Sequence, residues 1–185
     1  DVFRHQNRVG ARVAIIGAGG SGLDVAEYLS HKGESTSLNV AAFMEEWGVD
    51  QSFNARGALK IAAPPPNPRE IYLMQRSGGK LGARLAKTTG WIHRLSLKNR
   101  KVKMLSEVSY HKIDDAGLHI QHKGESKILE VDNIIICAGQ LPKRDLYAPL
   151  KAEGLSVHLI GGADEARELD AKRAIDQGTR LAARL

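Results

Sequence analysis

Apolar and polar residues recur along the chain with two periods, and these periods predict the order of helices and strands. The short apolar run Arg12–Ile16 predicts a buried first strand, and the segment from about Gly22 to Lys32 has the spacing of an amphipathic helix. Further along, Glu70–Gln75 predicts a second strand, Thr89–Lys98 a helix with Trp91 and Leu95 inward, and Val102–Leu105 a third strand. This alternation predicts a parallel sheet that is covered by helices.

An insertion, residues 34–69, separates the first helix from the second strand. Within it Val40, Phe43, Met44 and Trp47 recur at helical spacing and predict an amphipathic helix that ends at Gly48. We expect this apolar stripe to be buried on the domain surface or against a partner. The rest of the insertion closes on a proline-rich stretch, 64–68, and predicts loop within a single domain.

After the third strand the apolar period changes from helical to two. The runs Val108–Ile113, Leu118–His122 and Ile128–Val131 are separated by turn residues and predict a three-stranded antiparallel meander. Two further buried strands, Ile134–Gly139 and Val157–Gly162, and a final helix from about Asp170 to Arg184 complete the prediction. The expected fold class is α/β, a Rossmann-like three-layer domain with a parallel sheet and this meander.

The first strand leads directly into a Gly-x-Gly-x-x-Gly motif, which has a physical role in binding phosphate. Gly17 permits the tight turn, Gly19 lets the backbone approach a pyrophosphate, and Gly22 lets the helix pack against the strand. The anion would lie at the helix N-terminus, where unpaired N–H groups and the helix dipole favour negative charge. The residues that we expect at the pyrophosphate are Gly17, Ala18, Gly19, Gly20, Ser21 and Gly22.

The residues after the second strand decide between NAD and NADP. An NAD site would place a carboxylate there for the 2′-hydroxyl group of the ribose, but Gln75 and Arg76 occupy this position. Glu34 has the right separation from the glycines, but no strand precedes it. Because a guanidinium binds phosphate with charge-assisted hydrogen bonds, the sequence favours NADP, with Arg76 on the 2′-phosphate and Lys80 or Arg84 assisting.

Composition narrows the function classes further. The chain has 185 residues, of which 42% are hydrophobic and 26% charged, and it contains neither a signal peptide nor an apolar run long enough to span a membrane. The net charge of +6 comes from scattered basic residues, which favours anionic small ligands over nucleic acid. Cys137 is the single cysteine, so the chain alone forms neither a disulfide nor an iron–sulfur cluster. We expect a cytoplasmic protein without a metal site, and the first residue, Asp1, suggests a piece of a longer chain.

The order of these elements resembles the pyridine-nucleotide domain of two-dinucleotide flavoproteins of the glutathione reductase type. The segment Cys137–Pro142 is similar to the motif that closes such a domain, which implies that Ala138, Gly139 and Gln140 lie near the ribose or nicotinamide. The segment Ile160–Asp164 is similar to a later motif whose aspartate binds the FAD ribityl chain, which implies that role for Asp164.

Three longer blocks resemble the C-terminal part of the bacterial NADPH-dependent 2,4-dienoyl-CoA reductase family: residues 13–30, 87–94 and 168–182. That resemblance implies a modular flavoprotein. An N-terminal TIM barrel related to old yellow enzyme would carry FMN, a 4Fe–4S cluster and the catalytic acids, and the C-terminal part would bind FAD and NADPH. Electrons would pass from NADPH through FAD, the cluster and FMN to the dienoyl-CoA of unsaturated fatty acid oxidation.

The resemblance also divides the chain. Residues 1–142 would form the NADP(H)-binding domain, and residues 143–185 would return to an FAD-binding domain whose other half is absent. The chain would then hold no catalytic residue, would not reduce dienoyl-CoA alone, and would have the remainder of its own polypeptide as its partner. Two alternatives stay open: a structural ADP-binding module, as in trimethylamine dehydrogenase-like proteins, and a freestanding NADP-dependent reductase.

Overall fold

The structure is a computed structural model that describes residues 8–167 and 170–185. The chain divides into two compact units, of which the first ends at Ala138 and the second runs from Gly139 to Leu185. In chain order the helices and strands of the first unit are β1 (Arg12–Ile16), α1 (Gly20–Ser30), α2 (Val40–Trp47), β2 (Glu70–Met74), α3 (Gly90–Asn99), β3 (Lys103–Leu105), β4 (Val108–Asp114), β5 (Gly117–His122), β6 (Glu125–Leu129) and β7 (Asn133–Ile136).

Four of these strands form a parallel sheet in the order β3-β2-β1-β7. Ile16 at the end of β1 is level with Met74 of β2 and with Ile136 of β7. The carboxyl ends of these three strands therefore meet at one edge of the sheet, which is where ligands bind in open parallel sheets. The strands β4, β5 and β6 form the separate antiparallel sheet that the period of two predicts.

Alternating residues of β1 and β2 face two different cores. Val13, Ile15 and Leu73 pack with α1 and α3 in one cluster, whereas Ala14 and Met74 join the apolar residues of the meander in the other. Because successive side chains of a strand point to opposite faces, the helices, the parallel sheet and the meander form three layers. The predicted fold class is confirmed.

The helix of the insertion has the predicted bounds, and its apolar stripe is only partly covered within the chain. Gly48 ends α2 in the left-handed conformation, with φ of 70°. The stripe residues Val40 and Phe43 are exposed, whereas Glu46 is buried and its carboxylate accepts a 2.6 Å hydrogen bond from Arg100. The insertion is thus attached to the core through a buried ion pair, while Met44 and Trp47 of its stripe are half-buried.

The prediction for the inward face of α3 is also wrong. Trp91 and Leu95 are exposed, and Leu97 is fully buried against the first core. The indole N–H of Trp91 donates to the carbonyl of Thr88 at 3.0 Å. The helical period predicts α3 correctly but does not determine its buried face, because the neighbouring elements decide which stripe is covered.

The second unit contains helices rather than a strand. It comprises α4 (Tyr147–Ala152), which the apolar pattern did not predict, a 3-10 turn at Gly161–Ala163, and α5 (Ala171–Ala182). The predicted strand Val157–Gly162 is not formed, because within the described residues no other strand pairs with it. Helix α5 begins after Asp170, whose carboxylate accepts from the N–H of Arg173 at 2.8 Å.

Candidate dinucleotide site

The turn after β1 takes a path that requires glycine. Gly17 has φ of 107°, and a side-chain carbon there would lie 2.6 Å from the carbonyl oxygen of Cys137. The N–H of Gly17 donates to the carbonyl of Met74 at 2.8 Å, and the N–H of Cys137 donates to the carbonyl of Ile16 at 2.7 Å. The turn is therefore fixed against both neighbouring strands at the carboxyl edge of the sheet.

The start of α1 leaves room for an anion. Nothing lies within 4 Å of the position that a side-chain carbon of Gly19 would occupy, and Gly19 is the N-cap residue of α1 without a side-chain cap. The first turn contains no acidic residue. Since the first N–H groups of a helix have no partner within the helix, the backbone at Gly20, Ser21 and Gly22 fits a bound pyrophosphate.

The end of β2 presents a cation and no carboxylate. The N–H of Gln75 donates to Leu105 at 3.0 Å, and its carbonyl accepts from Val108 at 3.1 Å, so the backbone continues from the sheet in a fixed position. The next residue, Arg76, is exposed, and its guanidinium makes no hydrogen bond or ion pair with the residues that the structure describes. An uncompensated guanidinium lies where the 2′ position of an adenosine ribose is expected.

The loop after Arg76 is connected to the glycine-rich turn. The N–H of Gly82 donates to the carbonyl of Ala18 at 3.2 Å, and Arg94 of α3 donates to the carbonyl of Gly82 at 3.2 Å. Lys80 is exposed and makes no ion pair within the described part of the chain, and Arg84 is exposed. The structure therefore holds the loop with these two cations against the candidate pyrophosphate site.

Sequence patterns do not predict the contacts of three residues around this loop. These residues are Gln75, Arg94 and Tyr110. The hydroxyl of Tyr110 is buried and has no partner among the described residues. Burial raises the pKa of Tyr110, while the positive charge of Arg76 acts in the opposite direction. The contacts of Gln75 span only two to four residues and that of Arg94 spans twelve, but no sequence motif marks either of them.

The remaining predicted residues fall into two groups. Ala138 is exposed and follows β7, directly after Cys137, whose pKa is raised because burial disfavours the thiolate. Gly139 and Gln140 belong to the second unit and are exposed. Their contact with the ribose or nicotinamide stays a prediction.

Asp164, the residue predicted to bind FAD, also belongs to the second unit. Its carboxylate accepts a 2.9 Å hydrogen bond from the side chain of Gln177 on α5, and its carbonyl accepts from Arg144. The side chain is exposed and held in place, which is compatible with a ligand but identifies none.

Comparison with known proteins decides the family. A family model described as pyridine nucleotide-disulphide oxidoreductase matches residues 1–167. The chain belongs to this family. A curated relative, a metal reductase of Desulforamulus reducens, is 22% identical over 169 residues, which are 91% of this chain and 24% of the relative. The chain thus spans about a quarter of that relative's length.

Two solved structures share the fold. A 2-naphthoyl-CoA reductase in complex with 2-naphthoyl-CoA matches with a TM-score of 0.66 and 17% identity, over 100% of this chain and 23% of that one. Histamine dehydrogenase from Rhizobium sp. 4-9 matches with a TM-score of 0.64 and 15% identity, over 97% of this chain and 24% of that one. The similarity shows a shared fold, and this chain spans about a quarter of each of these two longer chains.

The described residues offer no candidate for a metal site or for a membrane-spanning segment. No group of three or more histidine, cysteine, aspartate or glutamate side chains is placed to hold a metal ion. None of the described helices is long and apolar enough to cross a membrane.

Proposed function

We propose that this chain is the NADPH-binding electron-input module of a multidomain flavoprotein oxidoreductase. The observation that carries the proposal is Arg76, an exposed guanidinium without an ion pair in the described structure. It lies two residues after the end of β2, where a carboxylate would select NAD. Membership of the pyridine nucleotide-disulphide oxidoreductase family supports a nicotinamide cofactor but does not choose between its two forms.

The residues of the site would bind and orient the cofactor rather than donate or accept protons. The N–H groups at the start of α1 would hold the pyrophosphate, and Arg76 would contact the 2′-phosphate with Lys80 or Arg84 assisting. NADPH, when bound, supplies the hydride that reduces FAD. Because hydride transfer depends on holding donor and acceptor at contact distance, this chain needs no catalytic acid or base.

For the substrate of the whole enzyme, we propose the 2,4-dienoyl thioesters of coenzyme A. The support is the resemblance of the blocks at residues 87–94 and 168–182 to that reductase family. The partner would be the rest of the same polypeptide, with the other half of the FAD site and a barrel that carries FMN and a 4Fe–4S cluster. The chain alone would bind NADPH without reducing a dienoyl-CoA.

Titration of the chain with NADPH, NADH and ADP tests the proposal. We expect NADPH to bind most tightly, and Arg76→Ala to remove the preference by weakening NADPH binding by about 1.5–3 kcal/mol, the contribution of a hydrogen bond to a charged group. Arg56→Ala, at another exposed arginine of the same unit, is the matched control and should leave all three affinities unchanged.

The same titration separates the competing function. Equal affinity for ADP and NADPH would show that no site for the 2′-phosphate exists and would favour a structural ADP-binding module. Preference for NADH over NADPH would show that the chain serves NAD, and the assignment of Arg76 would be wrong.

A further inference from the structure

The side-chain amide of Gln75 lies at the centre of the loop that follows β2. Its Nε2 atom is 3.0 Å from the carbonyl oxygen of Ser77, 3.3 Å from that of Gly78 and 3.5 Å from that of Gly79. Both backbone groups of Gln75 are also bound at the sheet edge, as described above. The two amide hydrogens of one anchored side chain are therefore shared among three successive carbonyl groups on one side of the loop.

This arrangement fixes the direction of the intervening N–H groups. The described peptide bonds are all trans, and in a trans peptide the carbonyl and the N–H point in opposite directions. The N–H groups of Gly78, Gly79 and Lys80 therefore point away from Gln75. None of them donates to an acceptor within the described residues. Successive N–H groups that point the same way form a concavity that binds anions.

The charged side chains around the loop also favour an anion at these N–H groups. Arg76 and Lys80 flank the loop, and both are exposed without an ion pair in the described part of the chain. One acidic residue borders it: a side-chain carbon added to Gly78 would lie 3.3 Å from the Oε1 atom of Glu107. Since a carboxylate opposes a bound phosphate, Glu107 should weaken the site without abolishing it.

We infer that Gln75 is a positioning residue that builds a phosphate cradle from the N–H groups of Gly78, Gly79 and Lys80. Its ligand is the phosphomonoester on the 2′ position of NADPH, with Arg76 contributing charge at the edge. The inference rests on the proposed function and deepens it, since specificity for the 2′-phosphate comes from the shaped backbone as well as from a cationic side chain.

Replacement of Gln75 by an apolar side chain of similar length tests the role of its amide. In Gln75→Met the three carbonyls lose their common donor, and we expect NADPH to bind at least about tenfold more weakly, as for the loss of one hydrogen bond to a charged group. Affinity for NADH should change less than twofold, because the glycine-rich turn remains intact. Gln121→Met, on the exposed face of β5, is the matched control. Circular dichroism and thermal unfolding verify the fold of each variant.

The possible outcomes distinguish this inference from the proposed function. If the wild-type chain binds NADPH no more tightly than NADH, the proposed function fails first. If the wild-type chain prefers NADPH and Gln75→Met keeps the full preference, the proposed function stands and the cradle is refuted. Parallel loss of NADPH and NADH affinity in a folded variant would show a general structural role and would also refute it.

Nuclear magnetic resonance reports on the N–H groups directly. Labelling with ¹³C-carbonyl serine and ¹⁵N-glycine selects Gly22 and Gly78, and labelling with ¹³C-carbonyl glycine and ¹⁵N-glycine selects Gly20, Gly79 and Gly162, because only these glycines follow those residue types. Adenosine 2′-monophosphate should shift the Gly78 and Gly79 signals, and adenosine 5′-monophosphate should leave them in place. Unchanged Gly78 and Gly79 signals under saturating 2′-monophosphate would overturn the inference.

Discussion

Gly22 approaches Gly17 so closely that a side-chain carbon on Gly22 would lie 1.8 Å from the carbonyl oxygen of Gly17. The same carbon would be 3.5 Å from the side chain of Leu73 in the sheet, which is an ordinary contact. The limiting neighbour is therefore the backbone of the turn itself. Helix α1 can begin where it does, with its N–H groups at the edge of the sheet, only because residue 22 has no side chain.

The substitution Gly22→Ala should destabilise the fold. Alanine is the better helix former by about 1 kcal/mol, but the overlap with a fixed carbonyl forces the helix away from the turn. We expect a net loss of about 1–3 kcal/mol in the free energy of unfolding, as for other overpacked sites, together with weaker binding of every dinucleotide. Urea unfolding measures the first effect; unchanged stability would show that α1 can shift freely.

Gly19→Ala should weaken dinucleotide binding with little effect on the stability of the fold. The site has open space around a new side chain, and the φ of −78° suits alanine. The free energy of unfolding should change by less than about 1 kcal/mol, since only the cap residue differs. NADPH and NADH should both bind more weakly, because the methyl group occupies the space that the pyrophosphate approaches. Full retention of both affinities in calorimetric titration would place the phosphates elsewhere.

The sequence predicts those parts of the fold that depend on residues close together along the chain. The turn, the first strand and the end of α2 at Gly48 follow from short-range signals, and the structure reproduces them. The burial of Glu46 and the exposure of Trp91 could not be read in the same way. Helical spacing defines the faces of a helix, but a distant segment, here Arg100, determines which face is covered.

Breaking the ion pair between Glu46 and Arg100 should release the insertion, residues 34–69, from the core. The two charges lie 2.6 Å apart, with only 10% and 1% of their side chains exposed. Because Glu46→Ala leaves the guanidinium buried without its counter-charge, we expect a loss of about 3–5 kcal/mol in the free energy of unfolding. Chemical denaturation monitored by tryptophan fluorescence, to which Trp47 and Trp91 both contribute, measures it.

Glu45→Ala provides the matched control for this pair. Glu45 forms an ion pair of the same 2.6 Å length with Lys60, but the side chains are 57% and 42% exposed. An exposed pair contributes no more than about 1 kcal/mol. Similar losses for Glu45→Ala and Glu46→Ala would contradict the assignment of the burial.

The stability of the fold should depend on pH through Asp50, in the loop after α2. Hydrogen bonds from the Ser52 hydroxyl and from the N–H groups of Ala55 and Ser52 lower the pKa of Asp50 from 3.8 to about 2. A carboxyl group whose pKa is lower in the folded state stabilises it above its ordinary pKa, and that contribution disappears as the pH falls from about 4 to 2. Asp50→Asn should therefore flatten the pH dependence of stability in this range. If the stability of the wild type and of Asp50→Asn depended on pH in the same way from pH 5 to 2, these hydrogen bonds would not persist in solution.

The candidate site shows a second limit of sequence-based interpretation. The position after β2 identified Arg76 correctly as a residue at the edge of the sheet, since strand order and motif spacing determine it. The role of Gln75 in holding three carbonyl groups has no sequence signature, because any polar residue could occupy that position. Sequence motifs therefore indicate a candidate site, and the side-chain contacts of the folded chain were needed to show how its backbone is arranged.

Cys137 should react slowly with alkylating reagents. It follows β7, packs against the first core and has its pKa raised by burial, so the thiolate that attacks iodoacetamide is scarce near neutral pH. We expect a rate below that of the urea-unfolded chain at every pH from 7 to 9, with the ratio of the two rates largest at the lower pH. A folded chain that reacts as fast as the unfolded one would show that Cys137 is neither shielded nor held in this environment.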